Sequence, residues 1–264
     1  RVKKTVLIFE HRRDMVRPAV DREIYMAAGC CMPAPSSMPD FPPIAPGTAG
    51  PPALVFEGVD FAWPGANQPL LSQISFAVRQ GESVVLVGDN GSGKTTILAL
   101  AMGLLRPAAG QILNCGVSVP KTPPGRLAKK AAILFQNPDH QLHLPHVADE
   151  AGLSSSQGES AREALSAMGL AELADRHPRS LSMGQKRRLT LAAAIGRRPE
   201  LMLLDEPSVG QDDRSLAMVI EQLDQHVKAG GALLTATHDC RVAKALSHRC
   251  LVVENGRIHE EIKC

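Results

Sequence analysis

Eight consecutive residues have the types and the spacing of a loop that binds phosphate groups. Residues 88–95 match the pattern G-x-x-x-x-G-K-[ST], and they lie between an apolar run at 83–87 and a helical pattern that begins near Lys94. A strand before the loop and a helix after it are the context that this motif requires. We expect backbone amides to hold the phosphates of a nucleotide, Lys94 to reach the β and γ oxygens, and the Thr95 hydroxyl to ligate Mg²⁺. The predicted binding residues are Gly88, Asp89, Asn90, Gly91, Ser92, Gly93, Lys94, Thr95 and Thr96.

Two adjacent carboxylates, Asp205 and Glu206, follow the apolar run 201–204. Two acids at the end of a buried strand are costly unless a cation or a hydrogen-bond network satisfies them, and Mg²⁺ suits carboxylate oxygens. The pattern predicts that Asp205 holds the metal and that Glu206 polarises the water that attacks the γ-phosphate. An acid pair stabilised by a helix dipole is the alternative, and the phosphate loop favours the metal site.

The segment 181–185 reads Leu-Ser-Met-Gly-Gln and precedes a basic run, Lys186-Arg187-Arg188. It resembles the signature sequence of ABC ATPases, usually Leu-Ser-Gly-Gly-Gln. The phosphate loop, Gln136, the signature, the acid pair and His238 follow one another in the order of that family. Read alone, Gln136 is a surface amide and His238 a strand-end histidine. The resemblance instead implies that Gln136 links Mg²⁺ to a transmembrane partner and that His238 contacts the γ-phosphate.

The same resemblance assigns a role in trans to the signature, although Ser182 read alone is a helix N-cap. It implies that three of its residues complete the ATP site of an opposing ABC domain, namely Ser182, Gly184 and Gln185. The predicted catalytic residues are Glu206, His238, Gln136 and Lys94, and the predicted metal ligands are Thr95, Gln136 and Asp205.

Other positions follow from the resemblance as well. Trp63 lies about where ABC domains carry an aromatic that stacks on adenine, and a core tryptophan is the alternative. The loop 208–212 matches the segment through which paired ABC domains signal, with Asp212 as the expected anchor. Gln211 departs from the family pattern by replacing the usual Leu, and Met183 replaces a signature glycine.

The composition limits the class of protein. The chain has 264 residues, a formal net charge of +2 and a hydrophobic fraction of 44%. Because the net charge is low, no nucleic-acid partner is expected. No apolar run reaches the roughly 18 to 20 residues that span a bilayer. The six cysteines lack zinc spacing, and we read them as reduced thiols of a cytosolic protein, with a disulfide left open.

Apolar runs alternate with helical patterns along the body of the chain, which predicts an α/β fold with a largely parallel sheet covered by helices. The resemblance sharpens this expectation to a P-loop ABC-type ATPase domain with a mostly parallel core sheet, an antiparallel β subdomain and a helical subdomain. The expected strands lie near 54–57, 83–87, 131–135, 201–204, 231–236 and 249–253, and the expected helices near 94–104, 160–168, 182–197, 213–227 and 240–246.

The chain divides into three parts. Residues 32–52 are rich in Pro and Gly, which predicts an extended linker without helix or sheet. An offset of 227 positions lays residues 6–11 on 233–238, and it also aligns later landmarks such as Gly29 with Gly256. We therefore expect residues 1–31 to be the C-terminal remnant of a preceding ABC domain and residues 53–264 to be a complete one. A private N-terminal extension that packs on the body is the alternative.

The run 135–142, Phe-Gln-Asn-Pro-Asp-His-Gln-Leu, resembles the energy-coupling-factor and cobalt importer group of ABC ATPases. This resemblance implies a peripheral subunit on the cytoplasmic face of the cell membrane that pairs with a second ABC domain. It also implies a transmembrane scaffold and a substrate-binding membrane subunit that captures a vitamin or a transition-metal ion. A soluble tandem ABC ATPase acting on ribosomes is the alternative, and the almost uncharged linker disfavours it. A regulator that binds nucleotide without hydrolysis is disfavoured because Lys94, Asp205, Glu206 and His238 are all present.

Overall fold

Two β-sheets and a small hairpin make up the strands of the computed structural model, which describes residues 20–21, 24–27, 30–32, 41–152 and 158–261. The strands in these ranges are β1 Tyr25–Ala27, β2 Cys30–Met32, β3 Pro52–Phe61, β4 Leu71–Arg79, β5 Ser83–Val87, β6 Ala109–Asn114, β7 Val117–Ser118, β8 Ala131–Leu134, β9 Leu201–Asp205, β10 Ala232–Ala236, β11 Arg249–Glu254 and β12 Arg257–Glu261. The α-helices are α1 Lys94–Ala101, α2 Pro124–Leu127, α3 Val147–Gly152, α4 Gly158–Ala167, α5 Met183–Ile195, α6 Asp213–Lys228 and α7 Cys240–Leu246.

The core sheet has the order β12-β11-β5-β10-β9-β8. Strands β11, β5, β10, β9 and β8 are parallel, and β12 is antiparallel to β11 at the edge. All five residues of β9 and of β10 are buried, because helices cover both faces of the sheet. The prediction of a mostly parallel sheet from apolar runs is therefore confirmed. Since parallel strands end at one edge, the loops after β5, β8, β9 and β10 meet there.

The second sheet is antiparallel and has the order β4-β3-β6-β7. Buried and exposed residues do not alternate strictly along β3, and the pairing of β3 with β4 contains register shifts. Strands β4, β6, β7 and β12 are missing from the list of expected strands. A search for apolar runs does not find half-exposed strands, so only the family resemblance anticipated this sheet.

The signature segment leads into α5, which packs against α3 and α4. Ser182 is the N-cap of α5: its hydroxyl accepts from Gln185 N, and the Gln185 side chain accepts from Ser182 N. This capping box fixes where the helix begins. The predicted helix at 182–197 is confirmed with small changes at its ends. Helices α3, α4 and α5 form the helical subdomain that the resemblance implied.

Residues 41–51 contain neither helix nor strand, and they lie on the surface of the body. Ile44 is 5% exposed, and its backbone N donates to Ala245 O at 2.8 Å. Ala45 N donates to Asp224 Oδ1 at 3.0 Å. The segment thus contacts α7 and α6. The prediction that residues 32–52 contain no strand is wrong at its two ends, because Met32 belongs to β2 and Pro52 to β3. Residues 33–40 of the predicted linker lie outside the described residues.

The hairpin formed by β1 and β2 repeats the register of the hairpin formed by β11 and β12. Tyr25 pairs with Met32 as Val252 pairs with His259, and Ala27 pairs with Cys30 as Glu254 pairs with Arg257. Adding 227 to each residue number of the first hairpin gives its counterpart in the second. Residues 6–11, where the repeat in the sequence begins, lie outside the described residues.

Two smaller observations bear on the class of protein. Within the described ranges, no helix combines the length and the apolar content needed to cross a bilayer.

Cys115 and Cys240 are free thiols, whereas Cys250 is disulfide-bonded. The reading of all six cysteines as reduced thiols was therefore wrong for Cys250.

Candidate functional site

The phosphate loop connects β5 to α1 and has a backbone that glycine alone adopts easily. Gly88, Gly91 and Gly93 have φ of 147°, 84° and 107°. A Cβ atom at Gly88 would lie 2.3 Å from the backbone oxygen of Val253, so this glycine is also required by packing. Lys94 is 7% exposed, and its ammonium donates to Gly88 O at 2.7 Å and to Asp89 O at 2.9 Å. Two of its three donors thus shape the loop, and the third is available to an anion.

Ser92 supplies a test of whether the loop fits a phosphate group. Its hydroxyl is buried and has no hydrogen-bond partner among the described residues. A buried hydroxyl without a partner is costly, and an anionic oxygen would satisfy it. Thr96, the last residue predicted here, is 7% exposed on α1. The loop therefore fits the phosphates that the sequence predicts for it.

Asp205 ends β9 beside the start of α1. Its Oδ2 accepts from the Thr95 hydroxyl at 2.9 Å, so the two predicted metal ligands are adjacent. Burial raises the pKa of the Asp205 carboxyl; the Thr95 hydrogen bond opposes this shift, and the Glu206 charge adds to it. A carboxylate and a hydroxyl are hard oxygen donors, and a divalent cation would relieve the charge that burial penalises. The pair fits Mg²⁺ on these grounds.

Glu206 follows Asp205 with a backbone φ of 52°, in the left-handed region that non-glycine residues rarely occupy. Its side chain is held on both oxygens. Thr237 Oγ1 donates to Glu206 Oε2 at 3.1 Å, and His238 Nδ1 lies 2.6 Å from Glu206 Oε1. Both partners come from the end of β10, which pairs with β9. The structure therefore brings Glu206 and His238 together, and it adds Thr237, which sequence reasoning missed.

Gln136 follows β8, and its side chain is exposed. Within the described chain, that side chain makes no hydrogen bond to Asp205 or Glu206. The nearby Gln141 organises this loop: its Oε1 accepts from Phe135 N at 3.0 Å, and its Nε2 donates to Ile133 O at 2.7 Å. The structure thus places the backbone of Gln136, while its predicted role as a metal ligand stays a prediction.

The signature residues lie at the N-terminus of α5. Ser182 is exposed, Gly184 is buried, and the side chain of Gln185 is engaged in the capping box. None of these three donates or accepts a hydrogen bond with the phosphate loop of the same chain, as far as the chain is described. Their predicted place in the ATP site of an opposing domain stays a prediction.

Gln211, the unusual residue of the loop 208–212, connects that loop to the signature. It is 6% exposed; its Nε2 donates to Gly184 O at 3.0 Å, and its Oε1 accepts from Arg188 Nη1 at 3.0 Å. Asp212 caps α6 by accepting from Ser215 N at 2.7 Å. A Leu at 211 would pack here but could not form the two hydrogen bonds, so the substitution replaces an apolar contact with a polar one.

Trp63 lies in the loop after β3 and is 49% exposed. Its ring contacts Phe61 edge to face, with centroids 5.2 Å apart and an interplanar angle of 85°. Such a partly exposed ring, held from one side, can stack on a base. A fully buried core tryptophan is excluded by the exposure.

The first arginine of the basic run, Arg187, was also missed as a site residue. Arg187 is buried, and its guanidinium donates to Glu206 O and Gln136 O. The available signal was its spacing: Arg187 is three residues after Gly184 and four before Leu191, so all three share the buried face of α5.

Comparisons with known proteins agree with this geometry. A family model described as "ABC transporter" matches residues 71–209. The cobalt import ATP-binding protein of Rhodobacter capsulatus is 34% identical over 220 residues, covering 80% of this chain and 78% of its own. A provisionally named HMP/thiamine import ATP-binding protein of Bacillus subtilis is 35% identical over 205 residues, covering 76% of this chain and 38% of its own. The structure of cbiO1 from Clostridium perfringens, part of the ABC transporter complex cbiONQ, matches with a TM-score of 0.69 and 26% identity, covering 80% of this chain and 89% of its own.

The parallel sheet, the phosphate loop and the acid pair that meet at one sheet edge define a P-loop nucleotide hydrolase. The chain belongs to the ABC transporter family. It is an ATP-hydrolysing, ATP-binding subunit of the kind that serves transporters.

Replacing Glu206 with Gln tests the catalytic carboxylate. The amide keeps the shape and can still contact Thr237, but it lacks the basic oxygen that orients water, so we expect turnover to fall by about 100-fold or more with ATP affinity preserved. Glu221→Gln, on the exposed face of α6, is the matched control. Nucleotide titration and steady-state hydrolysis measure the two effects. A normal rate in Glu206→Gln would show that the assignment is wrong.

Proposed function

We propose that this chain couples hydrolysis of Mg²⁺-bound ATP to import of a small solute across a membrane. The observation that carries the proposal is the constellation at one sheet edge: Lys94 donates within the phosphate loop to Gly88 O, Thr95 donates to Asp205, and Glu206 is held by His238. Thr95 and Asp205 would hold the metal, which supplies charge neutralisation to the phosphates when bound.

Lys94 and the loop amides bind the β- and γ-phosphates, and Trp63 stacks on the adenine. Glu206 accepts a proton from the attacking water. Each of its oxygens has a further lone pair beside the bonds to Thr237 and His238, so the carboxylate can engage water without losing its orientation. His238, which contacts Glu206, also contacts the γ-phosphate. Gln136 carries the signal between the nucleotide site and a membrane partner.

The solute class is proposed from two sources. The run 135–142 resembles the energy-coupling-factor and cobalt importer group, and one relative is named for cobalt import and another for HMP/thiamine import. The substrate of this system is accordingly a transition-metal ion or a vitamin, bound by a separate membrane subunit. The chain itself acts at the cytoplasmic face, peripheral to a transmembrane scaffold and without nucleic acid. A tandem ABC ATPase acting on ribosomes is not favoured.

Co-purification tests this assignment. We expect the tagged full chain, extracted from detergent-solubilised membranes, to bring down multi-span membrane proteins that an untagged chain does not. The physical reason is that the chain needs a membrane-embedded partner to convert hydrolysis into transport. Mass spectrometry identifies the captured proteins. Sedimentation of the chain with ribosomes, with no membrane partner, would reverse the choice between the two functions.

The pairing of two ABC domains is tested by two variants that fail differently. Lys94→Ala removes the charge that meets the β- and γ-phosphates, so ATP affinity should fall by about tenfold or more together with turnover. Ser182→Arg places a bulky cation at the exposed N-terminus of α5, so it should spare ATP binding by the same chain and block hydrolysis in the partner's site. Equal loss of ATP binding in both variants would refute the role of Ser182 in trans.

We also infer that residues 1–31 are the end of a preceding ABC domain. Two observations support this: the sequence repeat at an offset of 227, and the shared register of the β1–β2 and β11–β12 hairpins at that same offset. In such a tandem chain, residues 32–52 connect the two domains, and the part 41–51 rests on the second one.

Truncation tests the tandem arrangement. A chain that starts at residue 41 should keep the ATP affinity and the free energy of unfolding of the whole chain, because the preceding remnant belongs to another domain. A chain that starts at Pro52 should still bind ATP but lose about 2 kcal/mol of stability, since it lacks buried Ile44. Urea denaturation measures both. If removing residues 1–40 unfolds the body, those residues belong to this domain and the tandem inference fails.

A further inference from the structure

Arg187 is a buried cation whose side-chain hydrogen bonds, among the residues that the structure describes, all go to main-chain carbonyl groups at the site. It lies on α5, five residues after the exposed Ser182, and is 7% exposed. Its Nη1 donates to Glu206 O and, at 3.3 Å, to Asp205 O, and its Nη2 donates to Gln136 O. One side chain thus connects the signature helix, the acid pair and the loop after β8.

The charge of Arg187 has no direct carboxylate partner in the described part of the chain. Burial lowers the pKa of the guanidinium, and the nearby charges of Asp205 and Glu206 oppose this shift. A buried charge without an ion pair is costly, so a structural role alone would be served better by an apolar residue on this helix face. A planar guanidinium, however, can hold several carbonyl groups at fixed positions, which no apolar side chain can do.

Arg187 binds the backbone carbonyl groups of Glu206 and Gln136, two residues whose positions matter for ATP hydrolysis. Glu206 has a φ of 52°, and a non-glycine residue in this region is strained unless its surroundings hold it there. Three hydrogen bonds secure its backbone: Glu206 N donates to Ala236 O at 2.9 Å, Val209 N donates to Glu206 O at 3.3 Å, and the Arg187 guanidinium also donates to Glu206 O. The first bond comes from the core sheet, the second closes the local turn, and the third comes from the helical subdomain.

We propose that Arg187 is a positioning residue for ATP hydrolysis: it fixes the backbone of Glu206 and of Gln136 relative to each other and to the signature helix. The proposal rests on the assignment of Glu206 as the carboxylate that polarises water. Because Arg187 and Ser182 lie on the same rigid helix, contact of the signature with an opposing domain's nucleotide changes the position of the groups that hold Glu206. The trans contact and the cis site are thereby connected through one side chain.

Three variants of the full chain test the proposal. Arg187→Met keeps the length and removes the donors, Arg187→Lys keeps the charge and part of the donor capacity, and Arg197→Met is the matched control. Arg197 follows α5, is exposed and donates to Ala128 O, so the control also removes an arginine bond to a carbonyl, but away from the site. Turnover, ATP affinity and the urea midpoint are measured for each.

We expect Arg187→Met to lower kcat by about 30- to 100-fold while ATP affinity stays within about threefold, because misplacement of a catalytic group by a fraction of an ångström affects the chemical step most. Arg187→Lys should recover part of kcat, and Arg197→Met should keep the full rate. A kcat of Arg187→Met above half the unsubstituted value overturns the proposal. So does a parallel loss of ATP affinity and kcat, which a merely structural role predicts.

Two further comparisons keep the result decisive. If Arg187→Met does not fold, Arg187→Lys decides: an intermediate kcat with unchanged ATP affinity supports the proposal, and an unsubstituted kcat overturns it. Glu206→Gln, measured alongside, separates the two assignments. Full activity in Glu206→Gln removes the catalytic carboxylate on which the proposal rests, whereas full activity in Arg187→Met with an inactive Glu206→Gln overturns only the role of Arg187.

Discussion

Two adjacent carboxylates at the end of a buried strand impose the main constraint on this structure. Asp205 and Glu206 are 5% and 7% exposed, and burial, with the Glu206 charge adding to it, raises the pKa of the Asp205 carboxyl. Hydrogen-bonding side chains from other elements surround the two carboxylates. Thr95 donates to Asp205, Thr237 donates to Glu206, and His238 contacts the other oxygen of Glu206. These hydrogen bonds offset part of the cost of burying two carboxylates, which are the groups that the proposed cation and water would contact.

These donors come from parts of the chain that are far apart in sequence. Thr237 follows β10, the neighbour of β9 in the core sheet, whereas Thr95 lies in α1, after β5, which is one strand further from β9. The strand order therefore decides which loops can cooperate. This is the general reason that open parallel sheets bind nucleotides at their carboxyl edge, where helix N-termini and strand ends converge.

The basic run after the signature gives the helical subdomain a direct connection to the core. Lys186 donates to Asp139 at 2.7 Å, Arg187 to the backbone of Glu206, and Arg188 to Gln211 and to Ser215. Consecutive residues on a helix point in different directions, about 100° apart, so three neighbours reach three different elements. A displacement of α5 would therefore act on all three elements through these hydrogen bonds.

The sequence by itself determined the family, the parallel core sheet and the phosphate-loop chemistry, because each depends on local patterns: an apolar run, a glycine-rich turn, an acid pair. It did not reveal strands β4, β6 and β12, whose residues are half exposed and lack a continuous apolar run. Thr237 and Arg187 were also hidden, since their importance arises from contacts across 31 and 19 residues of sequence with Glu206. The tertiary structure alone decided that Ile44, in a segment read as an extended linker, is buried against the body. A hydrogen bond or a buried contact between distant residues has no signature in local composition, and only the folded chain brings its two partners together.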